Sequence, residues 1–228
     1  MTAVNQAGAM KAVMTTETKA DAAGVGRVER KRRETRQNIV GAAQRLMTTR
    51  PVDEVTIQNI TEEADVGHGT FYLHFKSKYE VLVPIVQARA AHWDAKVQSQ
   101  LGDLQDPAEI FSFNARHMAR VVLNEPLWRW FLAHSGVPIE DMRAAVGAFG
   151  ARDLRRGFAS GRFDVPDLSM STSFMFGAYV NSLLACLDLD EPEPALDQVV
   201  EMMLRVLGLS ASEAQTIANA PLPPLESH

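Results

Sequence analysis

The chain is poor in the residues that most directly signal chemistry. Its 228 residues include one cysteine, Cys186, which excludes an intramolecular disulfide and a cysteine-rich zinc site and fits a reducing, cytoplasmic setting. No run of about 18 apolar residues is present to cross a bilayer. The first 26 residues, rich in Ala, Thr and Gly, lack the apolar block of a signal peptide. There is no His-Glu-x-x-His, no glycine-rich phosphate loop and no Gly-x-Ser-x-Gly. His68, His74, His92, His117 and His134 are not spaced with carboxylates as metal ligands would be, and Cys186 has no base near it in sequence. No catalysis, cofactor or metal is therefore expected. Alternating strand patterns and internal repeats are missing too, which leaves an all-α reading.

What is present is a succession of helical stripes punctuated by proline and glycine. Arg30 to Thr49 carries Ile39, Val40, Ala43, Leu46 and Met47 at helical spacing and stops at Pro51. Thr56 is a candidate N-cap for a short helix with Ile57, Ile60 and Ala64 on one stripe. Longer helices are expected over 77–101, over 106–123 behind an Asp106 cap and Pro107, and over 126–134. Others are expected over 138–160, 167–187 and 195–207, with a Glu191-Pro-Glu-Pro loop before the last of these and a short helix from Ser210.

Residues 66–82 are the densest in information. With Gly67 as N-cap, a helix from His68 to about His74 turns Phe71 and Phe75 inward. His68 and Tyr72 then share one outward face, and Thr70 and His74 another. Gly69 leaves the first turn's backbone N–H groups open to a phosphate. Ser77-x-x-Glu80 starts the next helix, flanked by Lys76 and Lys78. Two short helices joined through 65–67, with Arg30–Thr49 covering them, make a three-helix core around a helix-turn-helix. The basic entry, Arg27, Arg30, Lys31, Arg32, Arg33 and Arg36, reads as a phosphate-contacting arm, against the alternatives of a solvated face or a disordered segment.

From Arg36 through Ile39, Ala42, Ala43, Leu46, Val55-Thr56, Ile60, Ala64, Val66, Gly69-Thr70-Phe71-Tyr72, His74-Phe75, Ser77-Lys78 and Leu82, the chain resembles the N-terminal domain of the tetracycline-repressor (TetR/AcrR) family. The resemblance spans about residues 30–83. It implies a three-helix DNA-binding head whose third helix enters the major groove, and an all-helical body that dimerises and binds a small effector. By that resemblance Thr56, Gly67, His68, Gly69, Thr70, Tyr72, His74 and Lys78 fall on DNA-contacting positions, with His68 reading a base. Thr56, Thr70, Tyr72, His74 and Lys78 would hold phosphates, and Arg32 and Arg33 would join them from the arm. The chain departs from the pattern where Asp65 replaces a turn glycine and Gly67 a capping serine, which removes a hydroxyl contact at Gly67. Arg50-Pro51 also stands where glycine is frequent.

The expected organisation is a disordered tail over 1–26, a DNA-binding domain over 27–76, a ligand-binding and dimerisation domain over 77–220, and a tail over 221–228. Met10 and Met14 are further candidate starts. The net charge of −5 is unevenly spread: Arg27 to Lys78 carries ten Lys or Arg against seven Asp or Glu, so a mildly basic head sits on an acidic remainder.

The middle of the body carries more aromatic and sulfur-bearing side chains than plain packing needs, which points to an apolar cavity for an apolar or amphipathic effector such as an acyl chain, an aromatic or a drug-like compound. Its candidate lining is Trp93, Phe111, Asn114, His117, Met118, Trp128, Phe131, Phe149, Met175 and Tyr179, with Asn181 as another polar handle. Plain core packing is the competing reading. The expected partners are a double-stranded palindromic DNA operator and a hydrophobic small molecule. A second copy is expected to pack through the last two long helices, where Gly177, Ala178 and Ala185 permit close approach and Met202, Met203, Val206 and Leu207 supply apolar area. No membrane contact is expected. The functional expectation is a repressor released by its effector; the alternative is a dimeric architectural DNA-binding protein with a solid body.

Overall fold

In a computed structural model, the backbone is described for residues 4–133 and 139–224. Side chains are described within those spans from residue 26 onward, except at 139, 141, 144 and 145. Ten α-helices and one 3-10 turn are present, with no strand among the described residues. The chain divides into two compact units, Met1–Lys76 and Ser77–His228.

The first unit holds α1 (Val4–Thr49), a 3-10 turn (Val52–Glu54), α2 (Ile57–Glu63) and α3 (His68–Tyr72). No proline interrupts the chain before Pro51, so α1 stops there. Helix α1 begins at Val4, within the stretch 1–26 that the sequence marks as a tail. That stretch is rich in alanine, the strongest helix former, and lacks proline, so nothing in its backbone stops the helix from starting early. Ile39, Ala42, Ala43 and Leu46 form the inward stripe of α1 and are buried with Val52, Val55, Ile60, Phe71 and Phe75. An exposed Arg45–Glu63 ion pair of 2.8 Å joins α1 to α2.

The second unit contains α4 (Lys78–Ser99), α5 (Pro107–Asn124), α6 (Pro126–Ala133), α7 (Ile139–Ala159), α8 (Leu168–Cys186), α9 (Glu193–Val206) and α10 (Ala211–Ala218). Side-chain caps start several of them: Ser77, Asp106, Asp167 and Ser210 each accept a backbone N–H from the first turn. Helix α9 begins two residues before its expected start, because Pro192 at the N-cap and Pro194 within the first turn suit a helix entry. The expected junction at His134 and Pro138 lies outside the described residues. The tail over 221–228 is described as far as Pro224 and is not helical there.

Helix α5 is central and packs against all six other helices of the unit. Phe111, Leu154, Phe163, Met175, Val200, Met203, Leu204 and Leu207 form one core. The buried Arg116 guanidinium anchors this arrangement, donating to Asp197 at 2.8 Å and to the Ala220 carbonyl at 2.7 Å. Met203 and Leu207, expected on the dimer face, are therefore core residues. Of the four apolar residues expected there over 202–207, Met202 and Val206 point outward, one helical step away.

Candidate nucleic-acid interface and ligand cavity

The turn between α2 and α3 forms as its sequence requires. Thr56 Oγ1 accepts from Asn59 N at 3.1 Å and Asn59 Oδ1 accepts from Thr56 N at 3.2 Å, a reciprocal cap that fixes the start of α2. Asp65 adopts a left-handed φ of 52°, the conformation that its glycine-like position demands. Gly67 is the N-cap of α3 and makes no side-chain cap bond. Helix α3 ends at Tyr72, short of the expected His74, with Leu73 as its C-cap.

Phe71 and Phe75 turn inward with their rings 5.8 Å apart, and the Arg36 guanidinium lies 4.5 Å from the Phe75 ring. The outward surface carries His68, with its ring 5.4 Å from Tyr72, together with Gly69, Tyr72 and the half-buried Thr70. Leu73 is 73% exposed. A Cβ at Gly69 would meet nothing within 4 Å, so the fold itself does not require glycine there. The half-buried His74 has its pKa lowered by burial and then by the positive fields of Arg32 and Arg36, which places those arginines within electrostatic reach of the end of α3. Arg32 and Arg33 are exposed on α1, as is Thr56 at the start of α2. Lys78 opens α4 in the second unit, its ammonium 6.0 Å from the Tyr79 and Trp130 rings.

The second unit holds a partly open cavity of about 130 Å³. Of the expected lining, Phe111, Asn114, Met118, Trp128, Phe131, Phe149, Met175 and Tyr179 surround it. Trp93 and His117 do not. They face a separate cleft with Arg120, Asn124 and Leu222–Pro224. The helical period explains both displacements. On α4, Asp94 and Val97 reach the cavity and Trp93, about 100° round the axis, does not. On α5, Asn114, Ala115, Met118 and Val122 face the cavity, while His117, Val121 and Asn124 share a face about 100° round the axis. Asn181 is exposed on α8 and lines neither.

One wall is polar in a way the sequence reading missed. Asp153, 5% exposed, accepts from Asn114 Nδ2 at 2.7 Å and from Arg152 Nε at 3.0 Å. Arg152 also donates twice to Asp94, at 2.8 and 3.0 Å, and Gln98 donates to Asn114 Oδ1 at 3.2 Å. Burial raises the Asp153 pKa, against the lowering effect of its Asn114 and Arg152 hydrogen bonds. The signal for this wall was available: Asp153 continues the Val146, Phe149 stripe of α7, and an acid on an apolar face is the informative exception. The remaining walls are apolar, and burial pushes the Tyr179 hydroxyl, which donates to the Ala115 carbonyl at 2.5 Å, well above its ordinary pKa.

Residues 106–220 match the sequence profile described as the tetracyclin repressor-like C-terminal domain, and residues 39–84 match that of the bacterial regulatory proteins of the tetR family. The chain belongs to the tetracycline-repressor family. As a member it is a helix-turn-helix, DNA-binding regulator of transcription. Among its relatives is the HTH-type transcriptional regulator EthR of Mycolicibacterium smegmatis, 27% identical over 183 residues, 74% of this chain and 82% of that protein. The crystal structure of RolR in complex with resorcinol is similar at a TM-score of 0.76 and 32% identity, covering 86% of this chain and 99% of that one. The fold is also shared with Thermus thermophilus FadR in complex with lauroyl-CoA, at a TM-score of 0.64 and 20% identity, over 83% of this chain and 99% of that one. No helix among the described residues is long and apolar enough to cross a membrane.

Proposed function

We propose that this family member is a cytoplasmic, homodimeric repressor that leaves a palindromic operator when a small, hydroxyl-bearing aromatic compound enters the body cavity. The observation that carries this reading is the cavity itself, apolar on most sides and ending in the Asn114–Asp153–Arg152–Asp94 network. An apolar cavity of about 150 Å³ accommodates benzene, whereas drug-sized ligands occupy several hundred. At about 130 Å³, the volume favours a single ring over an acyl chain. The similarity to a protein crystallised with resorcinol supports the same chemistry. The cavity also argues against the architectural alternative, which needs a solid body.

On the DNA side, His68 is the base reader. Thr56, Gly69, Thr70, Tyr72, His74 and Lys78 hold backbone phosphates, with Arg32 and Arg33 adding charge from α1. Gly67 contributes only its backbone. The domain assignment proposed is a head over 27–76 and a ligand-binding, dimerising body over 77–220. Dimerisation uses the outward stripe of α8, Met170, Phe174, Gly177, Asn181 and Ala185, together with Met202 and Val206 of α9. Met170 is 70% and Phe174 58% exposed, an unusual solvation of large apolar side chains.

The effector needs only to prefer the released state. A difference of about 1–3 kcal/mol changes DNA affinity several-fold to about a hundredfold. The test is a titration of benzenediols and monophenols against the dimer bound to its operator, selected from random DNA by the protein itself. Release by these compounds, with saturable heat of binding to the free protein, is the expected result. Binding of no single-ring phenol up to millimolar concentration overturns the assignment of the cavity.

A further inference from the structure

The polar groups around the cavity are not equally occupied. Tyr179 donates to the Ala115 carbonyl, and Thr172 donates to the Leu168 carbonyl at 2.7 Å. The Asn114 amide is engaged on both its oxygen and its nitrogen, by Gln98 and Asp153. Two kinds of capacity remain. The carboxylate oxygens of Asp153 and Asp94 keep lone pairs beyond those taken by Arg152 and Asn114. And Trp128, which lines the cavity from α6 and is 3% exposed, has a buried indole Nε1 with no hydrogen-bond partner among the described residues. An indole N–H is a donor only, and a buried one nearly always finds an acceptor. The contrast within the chain is direct, since the Trp93 indole donates to Glu125 Oε1 at 3.0 Å.

We infer that Trp128 donates to the effector, and that the cavity selects rings with two polar substituents, one donating to the carboxylate wall and a second accepting from the indole. This rests on the cavity being the effector site and narrows the ligand from phenols in general to benzenediols and their like. With one hydroxyl committed to the carboxylate wall, a second on the same ring supplies the acceptor for the indole. The selection comes from the unmade bond, because a ligand with a methyl group facing the indole leaves a buried donor unpaired and loses the difference in affinity.

The probe pair is resorcinol and 3-methylphenol, which place a hydroxyl or a methyl group of similar size at the same ring position. Calorimetric titration of the full-length protein is expected to show resorcinol binding about tenfold or more tightly, and W128F is expected to lose most of that preference while still binding 3-methylphenol. A preference kept in full by W128F overturns the role of Trp128 and leaves the cavity assignment standing. Failure of both compounds to bind the unaltered protein overturns both. Should W128F not fold, the indole ¹⁵N–¹H resonance of Trp128, assigned by elimination with W93F and W130F, gives the same decision in the unaltered protein. A downfield shift with resorcinol and not with 3-methylphenol supports the bond, and equal shifts refute it.

Discussion

Asn114 on α5 donates from Nδ2 to Asp153 Oδ2 on α7 at 2.7 Å, and this one bond gives the body cavity its polar end. Both residues belong to faces that are otherwise apolar, so burying them is costly unless each is paired. Arg152 and Asp94 extend the pairing to α4, the helix that continues directly from the DNA-binding unit. A ligand hydroxyl that bonds Asp153 therefore touches a network shared by three helices.

Asp153→Asn keeps the size of the side chain and removes its charge, while Arg152 retains both bonds to Asp94. Affinity for a phenolic effector should fall by about 1–3 kcal/mol, roughly five- to a hundredfold, in calorimetric titration. The unaltered protein should also lose affinity on acidification sooner than an ordinary carboxylate site would. The raised Asp153 pKa means protonation removes the anionic acceptor at a higher pH.

The head was legible because its signals are local. Thr56, Gly67 and Ser77 are caps, Asp65 sits at a left-handed turn, and Phe71 and Phe75 are one helical turn apart. Each is decided within a few residues of sequence. The cavity was legible only in part, because which face of a helix looks inward depends on its neighbours. Periodicity identifies Trp93 and Asp94 as belonging to different faces without saying which is the inner one. The same ambiguity misassigned His117 on α5 and put the buried Met203 and Leu207 on one face with the exposed Met202 and Val206. The pairing of the Asp153 network was missed for a different reason: Asp153 is bonded to Asn114, 39 residues away, and Arg152 to Asp94, 58 residues away, and no local pattern joins them.

Gly69→Ala separates folding from DNA binding. A Cβ there meets nothing within 4 Å, and alanine is a better helix former than glycine, so thermal stability should hold or rise by up to about 1 kcal/mol. Operator affinity should fall, because the added methyl group stands where a phosphate is proposed to approach α3. A melt alongside a binding titration checks both. Undiminished operator affinity would remove Gly69 from the interface.

His68→Ala and Lys78→Ala should fail in different ways. Loss of His68 is expected to relax preference at one base position by about 1–3 kcal/mol, measured against a set of single-base operator variants. Loss of Lys78 should weaken all sequences alike and make the salt dependence shallower by about one counterion. Unchanged relative affinities for every variant in the His68→Ala protein would remove its reading role.

The solvated apolar stripe gives the dimer test. Phe174→Glu on α8 and Met202→Lys on α9 alter side chains that are 58% and 56% exposed, so neither should unfold the subunit. Each should convert a dimer into monomer in light scattering at micromolar concentration, and operator affinity should fall with it because a palindrome needs both heads. A dimer that survives both substitutions would place the interface elsewhere.

His117 makes the stability of the protein pH-dependent in a defined window. It is buried beside Phe113, with ring centroids 4.4 Å apart, and its Nε2 has no partner among the described residues. Burial, followed by the fields of Arg120 and Arg116, lowers its pKa from 6.5 to about 4. The folded state thus favours the neutral ring, and the contribution is fully present above pH 6.5. As pH falls below 6.5 the unfolded chain takes up a proton that the folded chain refuses until about pH 4, so stability drains away across that interval. The loss should amount to roughly 2–3 kcal/mol. Phe at position 117 keeps an aromatic ring against Phe113 and cannot titrate. Urea melts of His117→Phe and the unaltered protein at pH 8 should differ little, and the gap should open in favour of the variant between pH 6.5 and 4. Parallel decline of the two proteins over that range would show that His117 is not held neutral by the fold.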